Sequence, residues 1–472
     1  MIISSISEIN KKKFHTIIIG SGPAGMSLAL KFEKKKIPVL IIEAGHRYAS
    51  DSSQVFYKGN VYGDNYPDLS AARLRQLGGS SGHWGGTCSV MTDYDFSKWP
   101  IKKNDLDIYE SEAKGILNLK GSFIEKEIGD NINYIGILRS DVNFAEKYFS
   151  HLSKSSFITL VLDCSFLKFN FANNSINSAE VHFKNNIYKI SSKNYVLACG
   201  GLENSRLLLW SKSFNKNYFD HDMPIGNYYM DHPTANVGEG ILNFKTFFKF
   251  LEKENFNYDI SSFCNSFIFF SPNKDFIEKN KILTTRIGIY FKTLESKDYK
   301  KRIIRKVSCI APNFVKYYTS DDTRNFTIEI QSDQEPSFEN KITLDPDLKD
   351  KYGIPNINLF WKRSKLVRES SRIAMIELGK FFVKKNIGRI GVEDFLFSNK
   401  EYLHTGGYHH MGGTRIGVSK KDSVVDKNLK VHGINNLYIC GSSVFRSGGS
   451  ANPTFTIVQL SLRLGDHLIE QT

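Results

Sequence analysis

Apolar positions along the chain switch between two spacings, and the switches mark the elements. Thr16 to Ile19 is a short β-branched run, Met26 to Phe32 continues at helical spacing before Pro38, and Val39 to Ile42 is again continuous and apolar. This predicts a strand, turn, helix, strand unit over Phe14 to Gly45. From Asp107 to about Phe149, polar and apolar residues alternate at helical spacing without any residue pattern that carries chemistry, which predicts packing elements. Short strands return at Phe157 to Leu162, Ala179 to Phe183 and Ile187 to Ile190, followed by Tyr195 to Ala198 running into Gly200-Gly201 and another helix. Between Thr234 and Asn399 the texture changes to Phe-rich and Lys-rich strands with poorly defined breaks, as in Asn243 to Phe256 and Ser262 to Phe276. A strand at Leu437 to Cys440 precedes Asn452-Pro453, a good N-cap and N1 pair for a helix to about Leu468. With 472 residues the chain is too long for one compact core. The expected division is 1–233, 234–399 for a substrate-binding domain, and 400–472 returning to the first lobe.

Between the first strand and the first helix, Gly20, Gly22 and Gly25 form GxGxxG. The first glycine permits the tight turn, the second lets a pyrophosphate approach the backbone, and the third lets helix and strand pack closely. The helix N-terminus would then face the phosphates. Glu43, at the tip of the second strand, can accept hydrogen bonds from both ribose hydroxyls of an adenosine. The bland alternative is an ordinary tight turn between strand and helix. The unit alone leaves a nicotinamide cofactor and FAD both open.

Arg73 to Thr87, RLRQLGGSSGHWGGT, packs five glycines around one His and one Trp. A merely flexible hairpin has no need of His83 or Trp84, so this loop is expected to form a second wall of the cofactor site. It resembles the flavin-contacting loop of the glucose-methanol-choline (GMC) oxidoreductase family, and the GxGxxG unit fits that family too. The resemblance implies FAD as cofactor, with Gly79, Ser80, Ser81 and His83 among its contacts. It also makes His83 a candidate for covalent flavin attachment, against a stacking or structural role. Residues 198–204 are similar to a family stretch that closes the FAD domain on the adenine side. Ile225 to Pro233 is similar to another segment, whose role is taken as structural, and Gln334 to Leu344 resembles a family strand.

Three C-terminal stretches, His409 to Arg415, Leu437 to Phe445 and Gly448 to Pro453, are similar to motifs of the same family. They imply catalytic roles for His409 and Asn452, with His410 ranked second. They also imply cofactor contacts from Gly441, Ser442, Asn452, Pro453 and Thr454. Read without the resemblance, Asn452 is a helix cap, and His404, His409 and His410 are a metal cluster or solvated loop residues. Their spacing does not put three imidazoles on one helix face, and no Cys or carboxylate lies beside them in a zinc pattern, so no metal site is assigned. The resemblance covers most of the chain outside about residues 235 to 325.

The implied fold is α/β, an FAD-binding Rossmann-like domain of the glutathione-reductase type with a second α+β substrate-binding domain built on a β-sheet. The implied activity is FAD-dependent oxidation of a CH–OH group of an alcohol, sugar or polyol to a carbonyl. His409 would take the hydroxyl proton, hydride would pass to flavin N5, and Asn452 would hold the substrate oxygen. A nicotinamide dehydrogenase would share GxGxxG and Glu43 without needing the 78–86 loop. A flavin-containing lyase or a non-catalytic flavin-binding protein of the same fold are the other readings. Dioxygen, a quinone or another carrier could reoxidise the flavin.

Composition narrows the setting. Hydrophobic residues make up 41% and charged residues 24%, with no apolar run near the ~18 residues that span a bilayer. The N-terminal residues show no signal-peptide pattern or twin-arginine pair, and the six cysteines are scattered without CxxC. A reduced, cytoplasmic setting is expected. The net charge of +14 comes from lysines spread along the chain without a recognised nucleic-acid module, so no nucleic-acid partner is expected. Lys300, Lys301, Arg302, Arg305 and Lys306 around Ile303, Ile304 and Val307 would form a basic amphipathic helix, read as a solvated face before a peripheral membrane or electron-acceptor contact.

Overall fold

A computed structural model describes the chain except residues 4–8, 10, 11, 130, 244, 245, 248, 251–266, 292–322, 399, 401–404 and 472. The basic cluster at 300–306, His404 and parts of the two Phe-rich runs therefore lie outside the described residues.

The first lobe is built on five parallel strands in the order Leu437–Ile439, Asn194–Leu197, Thr16–Ile19, Val39–Ile42, Ile158–Val161. Every residue of these strands is buried, as expected of a parallel sheet covered on both faces. The first helix spans Pro23–Lys34, longer at each end than the apolar spacing indicated, because Pro23 supplies the preset φ of a first helical position. It packs against the helix Thr454–Ile469, so the C-terminal residues complete the N-terminal unit. An antiparallel meander of Ser165–Ala172, Ser175–Phe183 and Asn186–Ile190 completes this lobe; its first strand was not anticipated.

The second sheet is antiparallel, in the order Gly388–Val392, Pro233–Asn243, Thr323–Ser332, Thr285–Phe291, Phe267–Pro272, Ile132–Gly136, Ile124–Gly129. Its last two strands correct the expectation for 107–149. Helices occupy Glu110–Leu117 and Phe144–Lys154, but the residues between form a hairpin that pairs with Phe267–Pro272. Tertiary pairing overrides the local pattern there. The sheets also cross the expected division of the chain: 124–136 joins the second sheet, and Pro355–Trp361 lies parallel to Gly59–Gly63 in a separate three-stranded sheet.

Helix Lys365–Lys384 covers one face of the second sheet, burying Val367, Met375, Leu378 and Phe382 against Ile287, Ile289, Ile328 and Ile330. The two-residue period of a strand then turns Arg286 and Gln331, which are paired in register, to the opposite face. That face looks toward the first lobe.

Buried ion pairs tie the two wall segments of the first lobe to the third sheet. Arg73 Nη1 donates to Glu203 Oε1 at 3.0 Å, Arg206 Nη1 donates to Glu203 Oε2 at 3.1 Å, and Arg206 Nη2 donates to Asp350 Oδ2 at 2.8 Å. Burial alone would raise the Glu203 carboxyl, but the guanidiniums of Arg206 and Arg73 hold it below its ordinary value. Glu203→Ala would leave two buried guanidiniums without this carboxylate. We expect it to cost ~3–5 kcal/mol in urea denaturation of the apoprotein; a loss under ~1 kcal/mol would mean that the group behaves as an exposed pair.

Candidate functional site

A cavity of about 620 Å³ runs from the first βα turn to the loop carrying His409. It is within the usual size of ligand clefts. Gly20, Gly22, Glu43, Gly79, Ser80, Ser81, His83, Gly441, Ser442, Asn452, Pro453 and Thr454 all line it, together with His409 and His410. Gly25 does not.

The three glycines of the turn divide by what surrounds them. A Cβ on Gly20, whose φ is +102°, would come within 2.5 Å of the Ala198 carbonyl oxygen, and one on Gly25 within 2.0 Å of the Gly20 oxygen. Both are demanded by protein packing. Gly22 has an ordinary φ of −64° and nothing within 4 Å of a Cβ. Its bareness serves the cavity, at the N-terminus of the first helix, where an anionic group is favoured. The residues thus fit a dinucleotide.

Glu43 is buried behind this turn. Its Oε2 accepts from Ser21 Oγ at 2.6 Å and Ser21 N at 3.1 Å, and its Oε1 accepts from Gly45 N at 2.8 Å. Burial raises its pKa, and these bonds only partly offset that. Since a carboxylate has about four lone-pair positions, three of them used here, Glu43 has room for one further donor and not for both ribose hydroxyls.

The glycine-rich loop is held at defined points. Trp84 Nε1 donates to Val142 O at 2.9 Å, and Ser81 Oγ accepts from Phe144 N at 3.1 Å while donating to Gly78 O at 2.7 Å. Ser81 and Trp84 therefore fasten the loop to helix Phe144–Lys154. His83 is exposed along the cavity wall.

At the other end, two chain segments run antiparallel: Pro233 and Thr234 pair with Gly406 and Thr405, and Met230 pairs with Met411. This register brings His232 against His409, with their Nδ1 atoms 2.8 Å apart. Asp231 Oδ1 accepts the backbone N–H of His232 at 2.6 Å and of His409 at 2.8 Å, and Asp231 Oδ2 accepts from the Tyr66 hydroxyl. One carboxylate thus holds both histidines. Burial pushes Asp231 up to about 6 despite these bonds.

His409 Nε2 lies 3.1 Å from Asn452 Nδ2, and Asn452 Oδ1 accepts from Arg286 Nη1 at 2.6 Å. A guanidinium can only donate, so the oxygen of Asn452 faces Arg286 and its amide nitrogen donates to His409. Asn452 is therefore not a helix cap: helix Thr454–Ile469 is preceded by Pro453 without a side-chain cap. Burial, then the neighbouring His232, Arg286 and His410, pulls His409 well below its ordinary value. It presents a neutral imidazole with a lone pair on Nε2. His410 is buried, lines the cavity, and uses its carbonyl to accept from Ser442 Oγ at 2.6 Å.

Residues 336–461 match the GMC oxidoreductase C-terminal domain. Over that segment the chain is similar to GMC oxidoreductases. It is 26% identical over 289 residues to the fructose dehydrogenase large subunit of Gluconobacter japonicus, covering 60% of this chain and 48% of that one. Over 132 residues it is 32% identical to 2-methyl-1,2-propanediol dehydrogenase of Mycolicibacterium austroafricanum, covering 27% of this chain and 22% of that one. The chain thus spans half or less of these relatives' own length. A solved structure of Aspergillus oryzae RIB40 formate oxidase, described for its FAD modification, shares the fold: TM-score 0.58, 17% identity, and coverage of 98% of each chain.

Sequence reasoning missed Asp231, His232, Arg286 and Tyr66. Asp231 and His232 sat in a segment read as structural, and only the antiparallel register reveals their place. Arg286 carried no local signal. The cavity generates a paired expectation for the turn. Gly22→Ala should change apoprotein stability by less than ~0.5 kcal/mol yet lose flavin on purification, read as the ratio of visible to ultraviolet absorbance. Gly25→Ala, which drives a methyl into backbone, should destabilise the fold by ~1–3 kcal/mol or more.

Proposed function

We propose that the chain is an FAD-dependent oxidoreductase that converts a CH–OH group of an alcohol, sugar or polyol to a carbonyl. The observation that carries this reading is the neutral His409 imidazole, its Nε2 lone pair turned to Asn452, at the far end of a cavity that begins at GxGxxG. FAD, when bound, supplies the hydride acceptor. Gly20 and Gly22 would receive its pyrophosphate, Glu43 one ribose hydroxyl, and the 79–83 loop with Gly441, Ser442, Pro453 and Thr454 the remainder. The start of helix Thr454–Ile469 would favour negative charge close to it.

His409 Nε2 takes the hydroxyl proton of the substrate. Asn452 Nδ2, now donating to His409, turns to the substrate oxygen and fixes it beside the base. His410 contributes to the wall of the site. The relatives named as dehydrogenases favour redox chemistry over a flavin-containing lyase or a flavin-binding scaffold. A second wall built from the 78–86 loop favours FAD over a nicotinamide cofactor. Dioxygen, a quinone or another carrier serves as the final electron acceptor. A cytoplasmic setting is supported by four free cysteines among the described residues, none of whose helices is long and apolar enough to cross a membrane.

Anaerobic bleaching of the purified protein by sugars, polyols, sterols and aliphatic alcohols tests the activity; failure of the whole panel to reduce the flavin would argue for the lyase or scaffold. His83 is tested separately. If it carries the flavin covalently, yellow colour stays with the acid-precipitated polypeptide, and if it is only a contact, all colour enters the supernatant.

His409→Ala should keep flavin bound but slow its reduction by ~10² to 10⁴, the worth of a positioned general base. The base must be neutral, and its surroundings lower its pKa, so the neutral form persists to lower pH than for a free imidazole. The acid limb of the wild-type reduction rate should therefore fall well below ~6.5, and His409→Ala should lack it. Equal reduction rates of wild type and variant in rapid mixing would remove His409 from the mechanism.

A further inference from the structure

We propose that Arg286 and His232 are positioning residues that fix where the protons sit on His409, acting through one hydrogen-bonded row, Arg286, Asn452, His409, His232. This rests on the reading of His409 as the base and adds what decides which of its nitrogens is free to act. Arg286 is buried, and among the described residues it donates to neutral acceptors, Asn452 Oδ1 at 2.6 Å, Gln331 Oε1 at 2.9 Å and Ser89 Oγ at 3.3 Å, with Glu329 acting on it only through space. Burial lowers it to about 10, which leaves it charged at neutral pH and always a donor.

The order of protons follows link by link. Arg286 donates, so Asn452 must offer it Oδ1 and cannot flip. Asn452 Nδ2 then donates, so His409 Nε2 must be the acceptor. A neutral imidazole has one proton, which is therefore on Nδ1 of His409. That proton points at His232 Nδ1, 2.8 Å away, which must be an acceptor, so His232 carries its own proton on Nε2. Among the described residues His232 Nε2 has no hydrogen-bond partner within normal distance, and the backbone of Gly448 and Gly449 acts on the ring in the direction that favours a proton. Burial first, and then Arg286, lower His232 to about 3, so it remains an acceptor and does not take the proton itself.

Both ends of the row are needed. Without a permanent donor at 286 the Asn452 amide could rotate, present its oxygen to His409, and pull the imidazole proton onto Nε2. Without an acceptor at 232 the proton on Nδ1 would be buried and unpaired, which again favours Nε2–H. In either case the lone pair that receives the substrate proton is lost from the cavity. When His409 becomes charged, its Nδ1–H keeps the same partner, so no reorientation accompanies the step.

The test reads proton position directly. Protein labelled with ¹⁵N-histidine is examined by long-range ¹H–¹⁵N correlation, and His409 is assigned by the signal missing in His409→Ala. Wild type should show His409 as the Nδ1–H tautomer. His232→Leu and Arg286→Met should each convert it to Nε2–H, whereas His232→Asn, whose amide oxygen can stand near the former Nδ1, should keep Nδ1–H. Flavin reduction by an active alcohol should fall about 10- to 100-fold in His232→Leu and Arg286→Met and recover in large part in His232→Asn. If His409 is Nε2–H in wild type, or keeps Nδ1–H in both His232→Leu and Arg286→Met, the proposal is overturned. If the asparagine variant is as slow as the leucine variant, it is overturned as well. Because Arg286 and His232 lie on different segments, misfolding of one variant leaves the other to decide. Should no alcohol reduce the flavin, the redox reading fails while the tautomer measurement still judges the row.

Discussion

The carboxylate of Glu203, held between Arg73 and Arg206, is the interaction on which the cavity depends. Three stretches far apart in sequence meet there: the start of the glycine-rich loop, the helix Gly201–Phe214, and the turn before Pro355–Trp361. Arg73 also donates to the carbonyls of Leu69 and Tyr57, and Arg206 to those of Pro355 and Ile354. The guanidiniums thus satisfy backbone groups that connecting loops would otherwise bury unpaired. Desolvating these charges is expensive, and a hydrophobic cluster of similar volume could hold the segments as firmly. What the charged cluster adds is direction, because a carboxylate flanked by two planar donors admits few arrangements. All three segments line the cavity.

Given that fixed wall, the chemistry at the far end is a consequence of strand period and register. Ile287 and Ile289 must face helix Lys365–Lys384 to close the second core, and this alone sends Arg286 the other way. A one-residue slip between Thr285–Phe291 and its neighbour would carry Arg286 into the apolar core. Likewise the short antiparallel pairing of 230–234 with 405–411 decides which histidine meets His409. Asp231 then fixes the two backbones by accepting both amides on one oxygen.

How far the sequence could be read follows from where each signal is stored. The N-terminal unit was legible because its glycines, strand ends and Glu43 lie within one local stretch. Even so, the structure limits Glu43 to one further hydrogen bond, since Ser21 and Gly45 already occupy it, and no spacing rule reveals that. The C-terminal histidine and asparagine were singled out by their motifs and meet in the cavity, although local rules made Asn452 a cap. The hairpin at 124–136 was misread because charged residues alternate there in a way that also suits an exposed helix, and its pairing strand comes more than a hundred residues later. Asp231, His232 and Arg286 matter only through contacts across the chain, which periodicity cannot express.

The row of groups behind His409 differs in kind from an Asp-His arrangement, in which a buried carboxylate orients the imidazole and stabilises its charged form. A carboxylate is at hand in Asp231, yet it is spent on backbone amides and the Tyr66 hydroxyl, and burial pushes it up to about 6. The group facing His409 Nδ1 is a neutral imidazole, and the nearest fixed charge along the row is the cation of Arg286. Every one of these choices disfavours imidazolium. Under the proposed role of His409 as base, its imidazole stays neutral to lower pH than a free imidazole would. The buried arginine, costly for stability, is then best understood as part of keeping His409 uncharged.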